Sequence, residues 1–155
     1  MKQIVICSGI LVAAFAGNAI AACGAVNGDN RLNQTQIATA LDGKRIGALS
    51  PGGETWNEDH CAGGGTAAVN LYKVGSGTAV DPRALRGTWQ IIGTGTNAQV
   101  RYTYFQLPPT NNPATNLVYT WQMWVRSGTS TIDFCDGTTQ IAAITSSAAA
   151  GTPCP

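Results

Sequence analysis

One short segment of the chain, Glu54–Cys61 with the sequence ETWNEDHC, brings together the only histidine, three carboxylates and a cysteine. Imidazole, carboxylate and thiolate groups bind zinc and act as acids, bases and nucleophiles. If the segment is a β-strand, its side chains alternate, so Glu58 and His60 share one face while Cys61 lies on the other. We therefore do not expect one metal to be held by His60 and Cys61, and we predict no metal site and no cofactor.

Glu58 and His60 remain as a same-face pair, which we predict to lie at the rim of the fold. A carboxylate beside a histidine can orient it for hydrolysis, whereas most exposed charged pairs are only solvated. The chain has no Gly-x-Ser-x-Gly nucleophile motif, and its one other glutamate, Glu54, would lie on the same strand. We predict no catalytic residue, and a hydrolase that uses Glu58 and His60 is the least favoured functional alternative.

The aromatic side chains are the stronger functional candidates. Six tryptophans and tyrosines lie within the 36 residues from Trp89 to Trp124. Such amphipathic rings can hold an apolar or sugar-like ligand, although a small barrel also needs large side chains to fill its interior. Core packing is the more frequent role, and the ligand-binding hypothesis assigns the ligand to Trp89, Tyr102, Tyr119 and Trp121.

The elements that must position these residues are short strands. From Lys44 onward, β-rich runs are separated by clusters of Gly, Pro, Ser and Asn, which is the all-β pattern. About eight strands favour a small closed antiparallel barrel over a two-sheet sandwich, because closure removes exposed edges from segments that carry little charge. The predicted strands are 44–49, 54–60, 66–73, 87–93, 97–106, 116–126, 130–135 and 139–145.

Local signals predict the connections between the strands. Gln34–Leu41 has a weak helical pattern, so a short helix or strap is expected before the first strand. Asp81, Pro82 and Gly87 have the spacing of a helical turn that starts at a cap and ends at a glycine. Glycines in 93–97 and 127–129 predict two hairpin turns.

The first 22 residues are typical of an export signal, with Lys2 at the start, an apolar run and small residues at its end. We predict a signal peptide at 1–22, a strap at 23–43 and a single β-domain at 44–155. Without Lys2, eight basic residues balance eight acidic ones, which argues against a nucleic-acid partner. We expect an exported protein, periplasmic or extracellular.

Four cysteines remain after signal removal, namely Cys23, Cys61, Cys135 and Cys154. Three pairings are open, and spacing does not choose between them. We favour Cys135 with Cys154 and Cys23 with Cys61. The residues Ile-Ala-Ala before Cys23 also loosely match a lipoprotein signal, but acylation would leave an odd thiol, so a membrane anchor at Cys23 is the alternative to simple secretion.

Two resemblances are visible. Gly87-Thr88-Trp89 resembles the Gly-x-Trp motif of lipocalins and avidins, which opens an eight-strand antiparallel barrel in those families. More of the chain, from Leu41 to Cys154, resembles small exported bacterial proteins without an assigned activity. That resemblance implies an exported β-domain and adds no chemistry. Its segments are LDGKRI, WNEDH, LYKVG, VDP followed by GTW, VRYTYF, YTW and FCDG.

The function expected from the sequence is that of an exported, non-enzymatic binding module. It would capture a small apolar or carbohydrate ligand on its aromatic face. The alternative is a structural subunit of an extracellular or envelope assembly, formed by self-association.

Overall fold

The computed structural model describes residues 22–75, 83–105, 116–151 and 154. Within these ranges the chain is mostly β-strand, with one short α-helix, and the predicted all-β class is confirmed. The helix α1 is Gln34–Leu41. The strands are β1 Asn30–Arg31, β2 Lys44–Leu49, β3 Thr55–His60, β4 Val69–Lys73, β5 Ala84–Ile92, β6 Gln99–Tyr104, β7 Leu117–Val125, β8 Ile132–Asp136 and β9 Thr139–Ala149.

Eight of these strands, β2 to β9, close into an antiparallel barrel. Each pairs with the next one along the chain, and β9 returns to pair with β2. This confirms the predicted barrel and excludes the two-sheet sandwich. Strand β1 lies outside the barrel and pairs antiparallel with the last two residues of β7. Gly87-Thr88-Trp89 lies in β5, the fourth strand of the barrel.

The helical pattern at Gln34–Leu41 is confirmed as α1, and this helix closes one end of the barrel. Asn33 and Gln36 form a reciprocal capping box at the start of the helix, which satisfies two backbone amides there. Ile37 and Leu41 are fully buried, and the helix contacts β2, β5 and β6. We call this end of the barrel the closed end. The opposite end, where β3 and β7 begin and β6 ends, is called the open end.

The predicted helical turn before the Gly-x-Trp motif is wrong in its second half. Asp81 and Pro82 lie outside the described residues, but β5 has already begun at Ala84. Gly87 does not end a helix; a Cβ on it would meet the carbonyl oxygen of Thr103 on the adjacent strand. Strand pairing overrides the local capping signal, and the glycine permits close backbone approach.

The two predicted hairpin turns are confirmed. Gly93 has φ 75° in the β5–β6 connection and Gly128 has φ 72° between β7 and β8. Both angles lie in the left-handed region, which glycine adopts without a Cβ clash.

The cysteine pairing that we favoured from the sequence is wrong. The disulfides join Cys23 to Cys135 and Cys61 to Cys154. Each one fastens a terminal segment to the barrel: Cys23 precedes α1 and bonds to β8, and Cys154 follows β9 and bonds at the end of β3. A bridge between Cys135 and Cys154 would have to close a short loop, but β9 lies between these two cysteines and carries the chain away across the barrel.

The two disulfides indicate an oxidising, non-cytoplasmic setting. In this structure the Cys23 sulfur lies in a disulfide, so it is not free to carry a lipid thioether. Among the described residues, none of the helices is long and apolar enough to cross a membrane.

Candidate binding site at the open end of the barrel

The inner face of β3 carries Trp56, Glu58 and His60, so Glu58 and His60 share one face as the alternation predicted. Ala48 and Ile46 lie opposite Trp56 and Glu58 on β2. The three side chains therefore form a line along the barrel interior, with Trp56 nearest the open end and His60 deepest.

His60 is a core residue and not a rim residue, so the predicted rim position is wrong for it. It is 1% exposed, and its Nε2 lies 2.9 Å from the hydroxyl of Tyr102. Its ring packs edge-on against Trp89 and Tyr102. Burial lowers the pKa of His60 to about 3, so the imidazole is neutral at physiological pH.

Glu58 has a different partner. The hydroxyl of Tyr104 donates to its carboxylate, 3.0 Å from Oε1 and 3.3 Å from Oε2. Burial raises the pKa of Glu58 to about 7, although the hydrogen bond from Tyr104 acts in the opposite direction. Glu58 and His60 are thus held by separate tyrosines, and the geometry supplies no carboxylate-oriented histidine for hydrolysis.

A cavity of about 360 Å³ lies at the open end. Trp56 and Tyr104 give it two aromatic walls, and Glu58 gives it a titratable carboxyl. Two cationic residues, Lys73 and Arg86, complete the charged lining, and Asn57 also lines it. The cavity therefore combines flat apolar surface with groups that can fix the orientation of a ligand, which is the usual composition of a small-molecule site.

Arg86 lines this cavity where β5 contains one extra residue. Leu71 lies opposite Gly87, whereas the next residue of β4, Tyr72, lies opposite Leu85. Arg86 is therefore the inserted position of a β-bulge, a device that commonly changes the direction of a side chain beside a functional site.

The four aromatic residues predicted to bind a ligand are divided into two pairs. Trp89 and Tyr102 are 0% and 1% exposed and belong to the core, where the Trp89 indole donates to the Cys61 carbonyl. Tyr119 and Trp121 lie toward the open end, stacked with centroids 5.5 Å apart. Tyr119 is 40% exposed and meets Tyr104 edge-on, which connects this pair to the wall of the cavity.

Sequence reasoning missed Arg86, Lys73, Trp56 and Tyr104 as site residues. The last two could have been found, because Trp56 shares a strand face with Glu58 and Tyr104 shares one with Tyr102. Arg86 could not have been found from alternation, because the bulge changes the register at that position.

The outer face of β3 contains a second buried carboxylate, Asp59, which is 0% exposed. Arg45 Nε and Arg83 Nε each lie 2.8 Å from one of its oxygens. Arg83 also donates to the carbonyl of Gly151 in the C-terminal segment. Burial would raise the pKa of Asp59, but the hydrogen bonds from Arg45 and Arg83 outweigh it and the pKa is lowered. This cluster ties the C-terminal segment to the barrel.

Across the ranges that the structure covers, no group of three or more His, Cys, Asp and Glu side chains is placed to hold a metal ion.

In comparisons with known proteins, no family model, curated protein or solved structure matches the chain. The two resemblances noted in the sequence remain expectations, and the aromatic and charged cavity at the open end of the barrel is the best candidate for a functional site.

Proposed function

We propose that the protein is an exported binding module that captures a small apolar or carbohydrate ligand, without chemical conversion, at the open end of its barrel. The observation that supports this most strongly is the cavity of about 360 Å³ between Trp56 and Tyr104. The rings of Tyr119 and Trp121 continue its aromatic wall.

The arrangement of rings suits reversible capture. Tyr119 and Trp121 are stacked on each other, and Tyr119 keeps a large exposed fraction. A flat apolar or sugar face can lie against such rings, while the Glu58 carboxyl and the Tyr104 hydroxyl provide hydrogen bonds that fix its orientation. The closed end supplies a rigid base, because the α1 side chains Ile37 and Leu41 are fully buried there.

Tryptophan fluorescence, titrated with a panel of glycans, lipids and pigments, tests this function. We expect a saturable change for at least one class of ligand. Trp121→Leu should weaken that binding about fivefold or more, since one aromatic contact contributes roughly 1 kcal/mol. Trp124→Leu is the matched control, because Trp124 is the neighbouring ring of the same strand and lies on the outer face. Equal effects of both substitutions, or no response to any ligand, would refute the proposal.

Self-association into an extracellular or envelope assembly is the second candidate, favoured by one apolar edge. Leu117 and Val118 are 49% and 58% exposed. Strand β8 pairs with β7 only from Gln122 to Val125, so among the described residues the first half of β7 has no β8 partner. Exposed apolar edges favour pairing with another chain. Light scattering after size-exclusion chromatography should then show oligomers that Val118→Lys disperses, and a strict monomer at high concentration would count against this role.

The exported setting has its own test. Mass spectrometry of the mature protein, with and without reduction, should show cleavage after residue 21 or 22, no acyl group and a gain of four hydrogens on reduction of two disulfides. Periplasmic and extracellular protein can then be separated by cell fractionation.

A further inference from the structure

The open-end cavity contains a guanidinium and a carboxyl that are not paired with each other. Arg86 lines the cavity. In the described part of the chain, no side chain forms an ion pair or hydrogen bond with its guanidinium. Glu58 lines the same cavity and accepts the hydroxyl of Tyr104. An unpaired guanidinium is a recognition group for anions, and its planar fork fits a carboxylate with two parallel hydrogen bonds.

The charges of the lining also favour an anion. Arg86 contributes a positive charge that no described side chain neutralises, against one titratable carboxyl at Glu58, and Lys73 is a second cationic residue of the lining. An ionised Glu58 would repel an anionic ligand, whereas a protonated Glu58 would donate a hydrogen bond to it. Burial raises the pKa of Glu58 to about 7, so the protonated form is well populated at neutral pH. A bound anion would raise this pKa further and so increase the protonated fraction.

We propose that the ligand of the open end is a small amphipathic monocarboxylate, whose carboxylate pairs with Arg86 and accepts a hydrogen bond from protonated Glu58. The apolar part of the ligand lies between Trp56 and Tyr104. This inference rests on the proposed function and specifies the polar group that the ligand must carry.

The neighbours of Glu58 determine the pH dependence of such binding. The titratable and charged groups that face it are Lys73 from β4, Arg86 from β5 and Tyr104 from β6, with Ile46 opposite on β2. Burial raises the pKa of Tyr104 above its ordinary value, so Glu58 is the group whose titration governs binding between pH 6 and pH 9. Between about pH 5 and pH 6, where the ligand is ionised and Glu58 is protonated, the affinity should therefore be nearly constant, and it should fall about tenfold for each pH unit above 7.

Isothermal titration calorimetry on the purified exported protein tests the proposal with three matched probes. The probes are 4-phenylbutanoate, its neutral amide and the corresponding amine, 4-phenylbutan-1-amine. At pH 6 we expect the carboxylate to bind at least tenfold more tightly than either analogue. At pH 9 its affinity should be about a hundredfold lower than at pH 6. At pH 7.5, titrations in buffers of different ionisation enthalpy should report an uptake of about three-quarters of a proton.

Variants separate the two contacts. Arg86→Gln should weaken carboxylate binding at least tenfold and leave the amide unaffected, whereas Arg101→Gln, on the neighbouring strand β6, should change neither. Glu58→Gln should remove the proton uptake and make the affinity independent of pH between 6 and 9, because an amide donates without titrating.

Different results would overturn the carboxylate inference and the proposal of ligand capture. Tighter or equal binding of the amide or amine, or an Arg86→Gln variant with unchanged affinity, would overturn the carboxylate inference and leave ligand capture in place. Silence of all three probes together with the glycan, lipid and pigment panel would overturn ligand capture itself.

Discussion

Glu58 and Asp59 are adjacent carboxylates on one strand, and the barrel gives them opposite environments. Glu58 points inward, where burial raises its pKa to about 7. Asp59 points outward but is covered, and there hydrogen bonds from Arg45 and Arg83 outweigh burial and lower its pKa. Burial alone therefore does not determine the charge of a carboxylate. The deciding difference is whether opposite charges lie within hydrogen-bond distance.

The same difference separates a structural site from a candidate functional one. The charge of Asp59 is satisfied by two guanidiniums, and the cluster holds the C-terminal segment against the barrel. Glu58 keeps a perturbed pKa beside an open cavity. A perturbed carboxyl that lies in a cavity and lacks an ionic partner is a better indication of function than one enclosed in an ion-pair network.

The largest expected effect is on the outer face. Asp59→Asn should lower the free energy of unfolding at pH 7 by about 3 kcal/mol or more, because it leaves the largely buried guanidinium of Arg83 without its counter-charge, while the more exposed Arg45 contributes less. Urea unfolding measures the loss. Asp136→Asn is the matched control, since Asp136 is exposed and should change stability little. Equal losses for both variants would remove the distinction between the outer cluster and an ordinary surface carboxylate.

The substitution Glu58→Gln should raise the free energy of unfolding at alkaline pH, whereas Asp59→Asn lowers it. The folded pKa of Glu58 lies above its unfolded value of 4.5, so its favourable contribution is complete below pH 4.5 and is lost as the pH rises through 7. At pH 8.5 the variant should therefore be more stable than the wild type by up to about 3 kcal/mol, and at pH 4 the two should be similar. A destabilised variant at pH 8.5 would mean that ionised Glu58 is well solvated.

The contribution of His60 to stability should depend on pH in the opposite direction to that of Glu58. Its folded pKa of about 3 lies below the unfolded 6.5, so the unfolded chain binds the extra proton and stability falls as the pH drops from 6.5. His60→Gln removes this cost. The stability difference between wild type and variant should shift in favour of the variant by about 2.5 kcal/mol between pH 6.5 and pH 4.5. A constant difference across that range would place His60 in contact with water.

The smallest expected effect concerns the hydrogen bond at the cavity wall. Tyr104→Phe removes the donor that lowers the pKa of Glu58, so the Glu58 pKa should rise above 7. The stability loss at pH 6 should be about 1 kcal/mol or less, because the protonated carboxyl can use water as a partner. Carbon-13 NMR of the carboxyl group follows the titration, and a lower pKa in the variant would contradict the assignment of the donor.

Much of the fold could be predicted because it depends on local patterns. The pattern of short β-rich runs identified the strands of the barrel, and the helix 34–41 agrees with the prediction. Side-chain alternation placed Glu58 and His60 on one face, as the barrel shows.

The environment of those faces could not be predicted, because it depends on distant parts of the chain. His60 is buried by rings on β5 and β6, and Asp59 is covered from the outside by Arg83 and the C-terminal segment. The disulfide pairing follows the strand order around the barrel and not the spacing of the cysteines. The position of Arg86 depends on a bulge that appears only when β4 and β5 pair.

The most direct test of the contrast between Glu58 and Asp59 is a carbon-13 NMR titration of both carboxyl groups in the wild-type protein between pH 2 and pH 9. We expect Glu58 to titrate at about pH 7 and Asp59 to titrate below its ordinary value of 3.8. If Glu58 instead titrates at or below 4.5, the cavity does not hold a buried carboxyl, and the proton-coupled binding of a carboxylate ligand at the open end is contradicted.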